Sequence, residues 1–534
     1  MGGSMDRKRT LAAFFVKIDR SGFITSGTVF FVLFMLIGIF ARVWQFGVMP
    51  GDIHQDEAFS GYEAYSLLHY GMDSAGYRFP VYLNTWGSGM SALNTYLIIP
   101  FMALFGPEIW VIRLPQVIVA ILSLWVTYLI VRRLMNQTAA LCVLFLLSIA
   151  PWHIGMARWG MDANLAPGFV IFGLYYFLRG MENSRFFLLS ALMYGLSLYC
   201  YATIWTVVPL IILVQLAAGV LSKKIHFDKW LLFSGILLGI LALPLFLFLL
   251  VNMGYIEDIR LPFLSIPKLL YMRAGEVSLT DIPEKATRLW RVIRGQTDFI
   301  ASNGTSEYGI YYKGTLVFFM LGLFYCIKST IEHLLRKELA PEFFLLVQVG
   351  AGGLLGVLIY SNINRVNILF IPMISVAAIG VYYLCSLINL QCLILPALYY
   401  LIMFIGFEHY YFTEYRELTD YYFCRGLEAA IEETVSYDGP IYISRGVEHS
   451  RILFFTREPV QEFIDTVEYF NYPHPYLEAQ SFGRYSFEFD PVSPDMNATY
   501  CLSQNVDLAP FKAMGFTLET YGNYTVAHHP ENNN

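Results

Sequence analysis

The sequence predicts an α-helical polytopic membrane protein with a small C-terminal α/β domain outside the bilayer, and three observations carry that fold class. The 534-residue chain is 56% hydrophobic and only 14% charged, against roughly 25% charged in an ordinary soluble domain. Apolar runs long enough to cross about 30 Å of hydrocarbon as helices recur as far as Tyr411. After Phe412 those runs stop, and short alternating pieces replace them.

The elements follow in order. Met1 to Arg20 is polar and carries Arg7, Lys8, Arg9, Lys17 and Arg20. The apolar run behind it has no small-residue cleavage site, so Ile24 to Ala41 reads as a retained first span. Further spans follow at Val111 to Val131, Thr138 to Ala150, Leu165 to Leu178, Phe186 to Tyr201, Ile204 to Leu221, Trp230 to Val251, Tyr311 to Ile327, Phe343 to Tyr360, Val366 to Ser386 and Leu393 to Tyr411, about eleven transmembrane helices in all. This assignment puts every basic cluster on the cytoplasmic side: the N-terminal one, Arg132 with Arg133, Arg179 with Arg185, Lys223 with Lys224, and Lys328 with Arg336 and Lys337. Leu93 to Phe105 is apolar but short, and counting it as a crossing would invert every later cluster. It is expected as an interfacial or re-entrant helix.

The domain organisation that results is a membrane module over residues 1–411, with outer loops 47–110 and 252–311, and an extracytoplasmic α/β domain over residues 412–534. The protein is thus expected in the cell membrane as a multi-pass chain with its N-terminus cytoplasmic. In the C-terminal domain, strands are expected at Pro440 to Ser444, Ala498 to Leu502 and Thr517 to Ala527, with a helix over Gly426 to Val435. A formal net charge of -6 with scattered basic residues gives no footprint for nucleic acid. Of the seven cysteines, Cys424 and Cys501 lie in the exported part, where a disulfide between them is one option.

Three polar clusters gather at the outer mouth of the bundle. Gly51-Asp52-Ile53-His54-Gln55-Asp56-Glu57 supplies carboxylates that could take a proton from a nucleophile and an imidazole that could orient one of them. The same acids at a helix N-terminus would also simply favour the helix dipole, and the spacing leaves both readings open. Pro151-Trp152-His153 and Arg158 follow: Arg158 could grip a phosphate with His153 beside it, or pair with Asp162 one helical turn on. Ser361-Asn362-Ile363-Asn364-Arg365 places an arginine at a helix mouth, where it is costly and therefore either functional or snorkelling to lipid headgroups. Outer loop 252–311 adds Arg288, Arg291 and Arg294, spaced as one helix face that either meets anionic lipid or is merely solvated.

Taken together, His54-Gln55-Asp56-Glu57, Gly71-Met72-Asp73, Ile112-Arg113-Leu114-Pro115, Pro151-Trp152-His153 with Arg158, and Asn364-Arg365 resemble the GT-C superfamily of membrane glycosyltransferases. The similarity is to bacterial relatives of the protein O-mannosyltransferase and aminoarabinose transferase group. The resemblance implies a GT-C fold and transfer, with inversion, of a sugar from a polyprenyl-phosphate-linked donor to an extracytoplasmic protein, lipid or envelope glycan. By the same resemblance Asp56 is the catalytic base or a metal-associated acid, supported by Glu57, while Arg365, then Arg158, holds the donor phosphate with His54, His153 and Asn364 as further substrate contacts. A divalent ion at Asp56 is an option rather than a requirement. The rivals are a transporter or flippase, and a polymerase or ligase acting on lipid-linked sugars. The absence of an internal repeat and the crowding of polar residues at one face weigh against the transporter.

Overall fold

The computed structural model describes residues 26–272 and 277–533; the N-terminal basic cluster, Ile24 and Arg273 lie outside the described residues. Its helices run α1 (Ser26–Val43), α2 (Gln55–Tyr70), α3 (Leu93–Phe105), α4 (Ile109–Leu134), α5 (Gln137–Ser148), α6 (Pro151–Met156), α7 (Ala166–Gly180), α8 (Phe186–Ser197), α9 (Val208–Leu221), α10 (Lys229–Asn252), α11 (Ile282–Gly295), α12 (Thr315–Leu335), α13 (Phe343–Leu358), α14 (Phe370–Ile388) and α15 (Ile394–Phe412). Every segment expected to span falls on one of these helices.

Among the described residues seven stretches are long and apolar enough to cross a bilayer: α1, α4, α10, α12, and the stretches that contain α9, α14 and α15. The other expected spans, α5, α7, α8 and α13, hold 12, 15, 12 and 16 residues. At about 1.5 Å rise per residue these stop short of a full hydrocarbon layer. The shortness of α5 has a reason in its packing. It ends inside the bundle at Ser148, where buried Arg42 of α1 takes the carbonyls of Leu147 and Ser148 at 3.0 and 2.9 Å. A helix end in a dry interior needs such partners. Close contact between α12 and α14 rests on two glycines: a Cβ on Gly322 would strike the Val376 carbonyl, and one on Gly380 the Phe318 carbonyl. Small residues let neighbouring backbones approach in this way.

Helix α3 is the short apolar element set apart in the sequence. It packs on α2 and α4 and leaves Leu104 and Phe105 exposed. In the loop after α10, the amphipathic α11 buries Lys285, Leu289 and Val292 and turns Arg288, Arg291 and Arg294 outward. Two small hairpins, β1 (Tyr82–Leu83) with β2 (Met90–Ser91) and β3 (Ile259–Leu261) with β4 (Leu264–Ile266), lie in the two long loops.

Beyond α15 the chain builds α16 (Glu414–Tyr422), α17 (Leu427–Val435), β5 (Ile441–Ile443), α18 (His449–Thr456), α19 (Val460–Thr466), β6 (Glu468–Tyr469), β7 (Ala479–Phe482), β8 (Tyr485–Ser486), β9 (Thr499–Ser503), α20 (Ala509–Ala513), β10 (Thr517–Tyr521) and β11 (Tyr524–His528). One sheet of order β10-β11-β9-β5-β8-β7-β6 results, with β5 parallel to both neighbours and the other pairs antiparallel. The segment Thr517 to Ala527 is not one strand but a hairpin, because Gly522 turns at φ 54° between β10 and β11. Cys424 and Cys501 are both buried and both free thiols, so the disulfide does not form here.

This sheet layer is fused to the membrane module. Ile53, Tyr62, Ile98 and Ile112 share one apolar core with Leu427, Ile441, Leu453 and Val526. Tyr62 donates to the Glu458 carbonyl at 2.8 Å, and the Ile53 N–H donates to the Phe423 carbonyl at 2.9 Å.

Candidate functional site

The turn between α1 and α2 is where the sequence concentrates acids, and helix capping sorts them. His54 is the N-cap of α2: its Nδ1 accepts the Asp56 N–H at 3.3 Å, while Glu57 Oε2 accepts the His54 N–H at 3.0 Å. This reciprocal capping satisfies two orphan donors of the helix start. Burial against Trp159 and Phe423 pushes the His54 imidazole down to about 3, so it stays neutral.

Glu57 is fully buried and saturated. Its Oε1 accepts from Arg113 Nε at 2.8 Å and from the Gly160 N–H at 2.7 Å, and Oε2 takes Arg113 Nη2 at 3.0 Å. The role the geometry gives it is positioning, since it ties the start of α2 to the segment around Gly160. That segment is further fixed by Asn94 Nδ2 on the Gly160 carbonyl, Gln116 Nε2 on the Met161 carbonyl and Asn367 Nδ2 on the Ala163 carbonyl, at 2.8, 2.8 and 2.7 Å.

Asp56, one residue before Glu57, has a side chain 24% exposed where that of Glu57 is 0%. It lines a cavity of about 770 Å³ at the junction of the membrane module and the sheet domain. Asp162 lines the same cavity, with Oδ2 accepting the Ser91 N–H at 3.2 Å. The opposite wall comes from the turn after β5 and the loop before β7: Arg445, Glu448, His449, Tyr476 and Glu478. Arg445 Nη2 stands 3.3 Å from Glu478 Oε2, and its guanidinium lies 4.5 Å above the Phe470 ring. His449 is packed among Phe59, Trp86 and Phe463, and this burial pushes it down to about 4.

The wall is pinned to the acidic turn by contacts to its residues. Asp52 accepts the Glu428 N–H at the start of α17 at 3.2 Å, and burial pushes its carboxyl above the ordinary range. Arg451 Nε donates to the Ile53 carbonyl and Ser450 Oγ to the Gln55 carbonyl, at 3.1 and 3.3 Å.

Two expected substrate contacts are placed elsewhere. Arg158 is fully buried and donates to the carbonyls of Ala41, Arg42, Trp44, Gln45 and Met49 at 2.6–3.2 Å. It closes the C-terminal end of α1, whose last carbonyls have no helical partners. Neither a phosphate grip nor a pair with Asp162 is available to it. His153 is likewise fully buried, between Arg42 Nε at 3.2 Å and Ser123 Oγ at 2.9 Å, and does not reach the cavity.

Arg365 sits half-buried on the loop between α13 and α14. Its carbonyl accepts from Thr203, close in sequence to the cavity-lining Tyr201. Asn364 donates to Asn303 and to Met161 Sδ, and Met161 also lines the cavity. Asn364 thus touches a cavity-lining residue, and Arg365 is its neighbour in the chain. Among the described residues no three of His, Cys, Asp and Glu converge as a ligand set for a metal. The carboxylates that line the cavity are Asp56, Asp162, Glu448 and Glu478.

Sequence reasoning missed Asp162 as a cavity residue, together with Arg113 as the Glu57 partner and the whole wall from the C-terminal domain. For Asp162 a signal existed, namely a carboxylate in Gly160-Met161-Asp162 at the end of an apolar run. For Arg445 and Glu478 there was none, since only the sheet topology brings them here.

Residues 92–252 match the family model of dolichyl-phosphate-mannose-protein mannosyltransferase. A comparison with curated proteins finds no match. Among solved structures, ArnT from Cupriavidus metallidurans in the apo state superposes with a TM-score of 0.53 at 13% identity, over 93% of this chain and 97% of that one. The same protein bound to undecaprenyl phosphate gives 0.52 at 13% identity, with the same coverage. The oligosaccharyltransferase from Archaeoglobus fulgidus in the apo form gives 0.48 at 14% identity, over 82% of this chain and 64% of that one. The chain is a multi-pass membrane protein that carries an ArnT-like GT-C fold, and over residues 92–252 it is similar to the protein mannosyltransferases.

Proposed function

We propose that this protein is a glycosyltransferase that takes a sugar from a polyprenyl-phosphate-linked donor and passes it, with inversion at the anomeric carbon, to an acceptor on the extracytoplasmic side. In this reading residues 1–411 form the membrane catalytic module, with loops 47–110 and 252–311 outside, and residues 412–534 form the extracytoplasmic domain. The observation that carries it is the pair of carboxylates, Asp56 and Asp162, on the wall of one large cavity at the mouth of an ArnT-like bundle. ArnT has been solved bound to undecaprenyl phosphate, which supports a lipid-phosphate donor.

The chemistry asks for little more. A sugar held on a phosphate already has a leaving group, so attack at the anomeric carbon needs a base for the incoming hydroxyl or amine and cations for the departing phosphate. Asp56 is the base, taking the acceptor proton as the new glycosidic bond forms. Glu57, locked on Arg113, holds the helix start that presents it. Asp162 is the second acid, orienting the acceptor or the sugar. Arg365, next to Asn364 on the loop between α13 and α14, receives the phosphate as its bond to the sugar breaks, and Asn364 supports that loop. A bound divalent ion would neutralise developing phosphate charge from the same face.

The decisive test is transfer of labelled sugar from a panel of purified polyprenyl-phosphate sugars to envelope fractions, with wild type and Asp56→Asn compared at equal protein. Transfer by the wild type and its loss in the variant are expected. Equal transfer by both removes Asp56 from the chemistry, and no transfer from any donor removes the reading.

A further inference from the structure

The cavity that holds Asp56 and Asp162 continues past Arg445. A second groove of about 540 Å³ begins there, shares Arg445, Phe470 and Phe487 with the cavity, and runs out over the sheet domain along Phe489, Asn505 and Asp507. We propose that this groove binds the acceptor and that the acceptor is a carbohydrate chain without strong negative charge. The proposal rests on the glycosyltransferase reading above and gives its acceptor a chemical class.

Its position is the first argument. Strand β5 is parallel to β9, and the chain runs on from β5 to β6 at one edge of the sheet and from β9 to β10 at the other. In open α/β sheets the crevice at such a point is where ligands bind. Ser444, directly after β5, and Ser503, at the end of β9, line the groove, and the Ser503 N–H donates to Ser444 Oγ at 2.8 Å to close its floor.

The lining is the second. Rings alternate with planar polar groups: Phe470 lies under the Arg445 guanidinium, Phe487 and Phe489 follow, and Glu488, Asn505 and Asp507 stand among them. A sugar ring offers a C–H face to an aromatic side chain and a rim of hydroxyls to amides, carboxylates and guanidinium groups, so this alternation matches it on both counts.

The other two acceptor classes fit less well. An extended polypeptide docks on a sheet by pairing with an unpaired strand edge. The edges of this sheet are β10 and β6, while the groove crosses the ends of the central strands. A phosphorylated lipid headgroup would meet the carboxylates Glu488 and Asp507 with Arg445 as the one cation lining the groove, and like charges at short range repel it.

The full-length protein in nanodiscs, titrated with labelled oligosaccharides released from the envelope of its source cells and separated by charge, tests this directly. The neutral fraction is expected to bind, and Val492→Arg to weaken it roughly tenfold or more. Val492 lines the groove with 71% of its surface exposed, so the change fills the groove without touching the core. Asn505→Ala, also at an exposed position, is expected to weaken binding by a smaller factor. Unchanged affinity in Val492→Arg, no binding of the neutral fraction, or tighter binding of the acidic fraction or of unfolded polypeptide overturns the proposal. Transfer assays separate it from the underlying reading. If sugar transfer proceeds while binding ignores Val492→Arg, the groove assignment alone fails. If oligosaccharide binds and no donor yields transfer, the glycosyltransferase reading falls and takes the word acceptor with it.

Discussion

Two regions of this molecule hold charge within a bundle otherwise made of hydrocarbon, and they use it differently. Beneath the site lies a layer in which Arg42, Arg113, Arg158, Glu57 and His153 are all fully buried and spend their hydrogen bonds on helix ends and on each other. On the cavity wall, Asp56 and Arg445 keep exposed surface beside open space, and Asp162 meets the same space. The difference teaches that a costly charge near a membrane face has two justifications. One is closing a broken backbone ladder in a dry interior; the other is chemistry on a ligand. Position in the sequence does not separate them, whereas contact with open space does.

The comparison breaks most readily at the cavity wall. Asp56→Asn is expected to lower transfer by about 10²–10⁴-fold, the usual worth of a general base, with the thermal midpoint of the purified protein unchanged. An equal loss of folded protein would move Asp56 into the scaffold class. In the layer beneath, Arg113→Ala strands Glu57 in a buried site and is expected to cost about 3–5 kcal/mol of stability, read as loss of monodisperse protein on heating in detergent. Arg158→Ala is expected to cost about 1–3 kcal/mol for the carbonyls it abandons, with the KM for donor unmoved. Arg365→Ala is expected to do the reverse, raising donor KM at constant stability. If those two results exchange places, the sorting by burial is wrong.

The smallest expected effect is a slope with pH. His449 is held near 4 by burial, below the roughly 6.5 of an unfolded histidine. Between those values the unfolded chain binds a proton that the folded chain does not, so the His449 contribution is complete above about pH 6.5 and is lost as pH falls toward 4. About 1 kcal/mol per pH unit is expected in that window, and His449→Gln should flatten that part of the stability curve.

Much of the architecture was legible because bilayer physics writes it in long apolar runs: each expected span lands on a helix, and α3 was set apart by its length and by the basic clusters it would invert as a crossing. A helix start at the acidic turn was legible too, as the dipole alternative, though not the capping box that His54 and Glu57 form there. What the residues could not display was valence. Arg158 looks like a ligand group in a sequence because its carbonyl partners, Ala41 to Met49, carry no residue-type signature, and His153 does so because its partners, Arg42 and Ser123, lie far away in the chain. The second half of the cavity was hidden for a topological reason. Arg445 and Glu478 share a cavity with Asp56 only because β5 sits between two parallel neighbours and Asp52 caps α17, neither of which local patterning encodes.

Those ties between Asp52, Ile53 and Gln55 and the helices that follow α15 bear on how the protein is made. A chain emerging from the ribosome delivers Asp56 early and the facing wall last, so the membrane helices are made before the cavity has a second side. Until Arg451 has closed on the Ile53 carbonyl, a nascent bundle holds Asp56 open to water. Under the proposed function, completion of synthesis is thereby the step that turns a membrane scaffold into a reaction vessel.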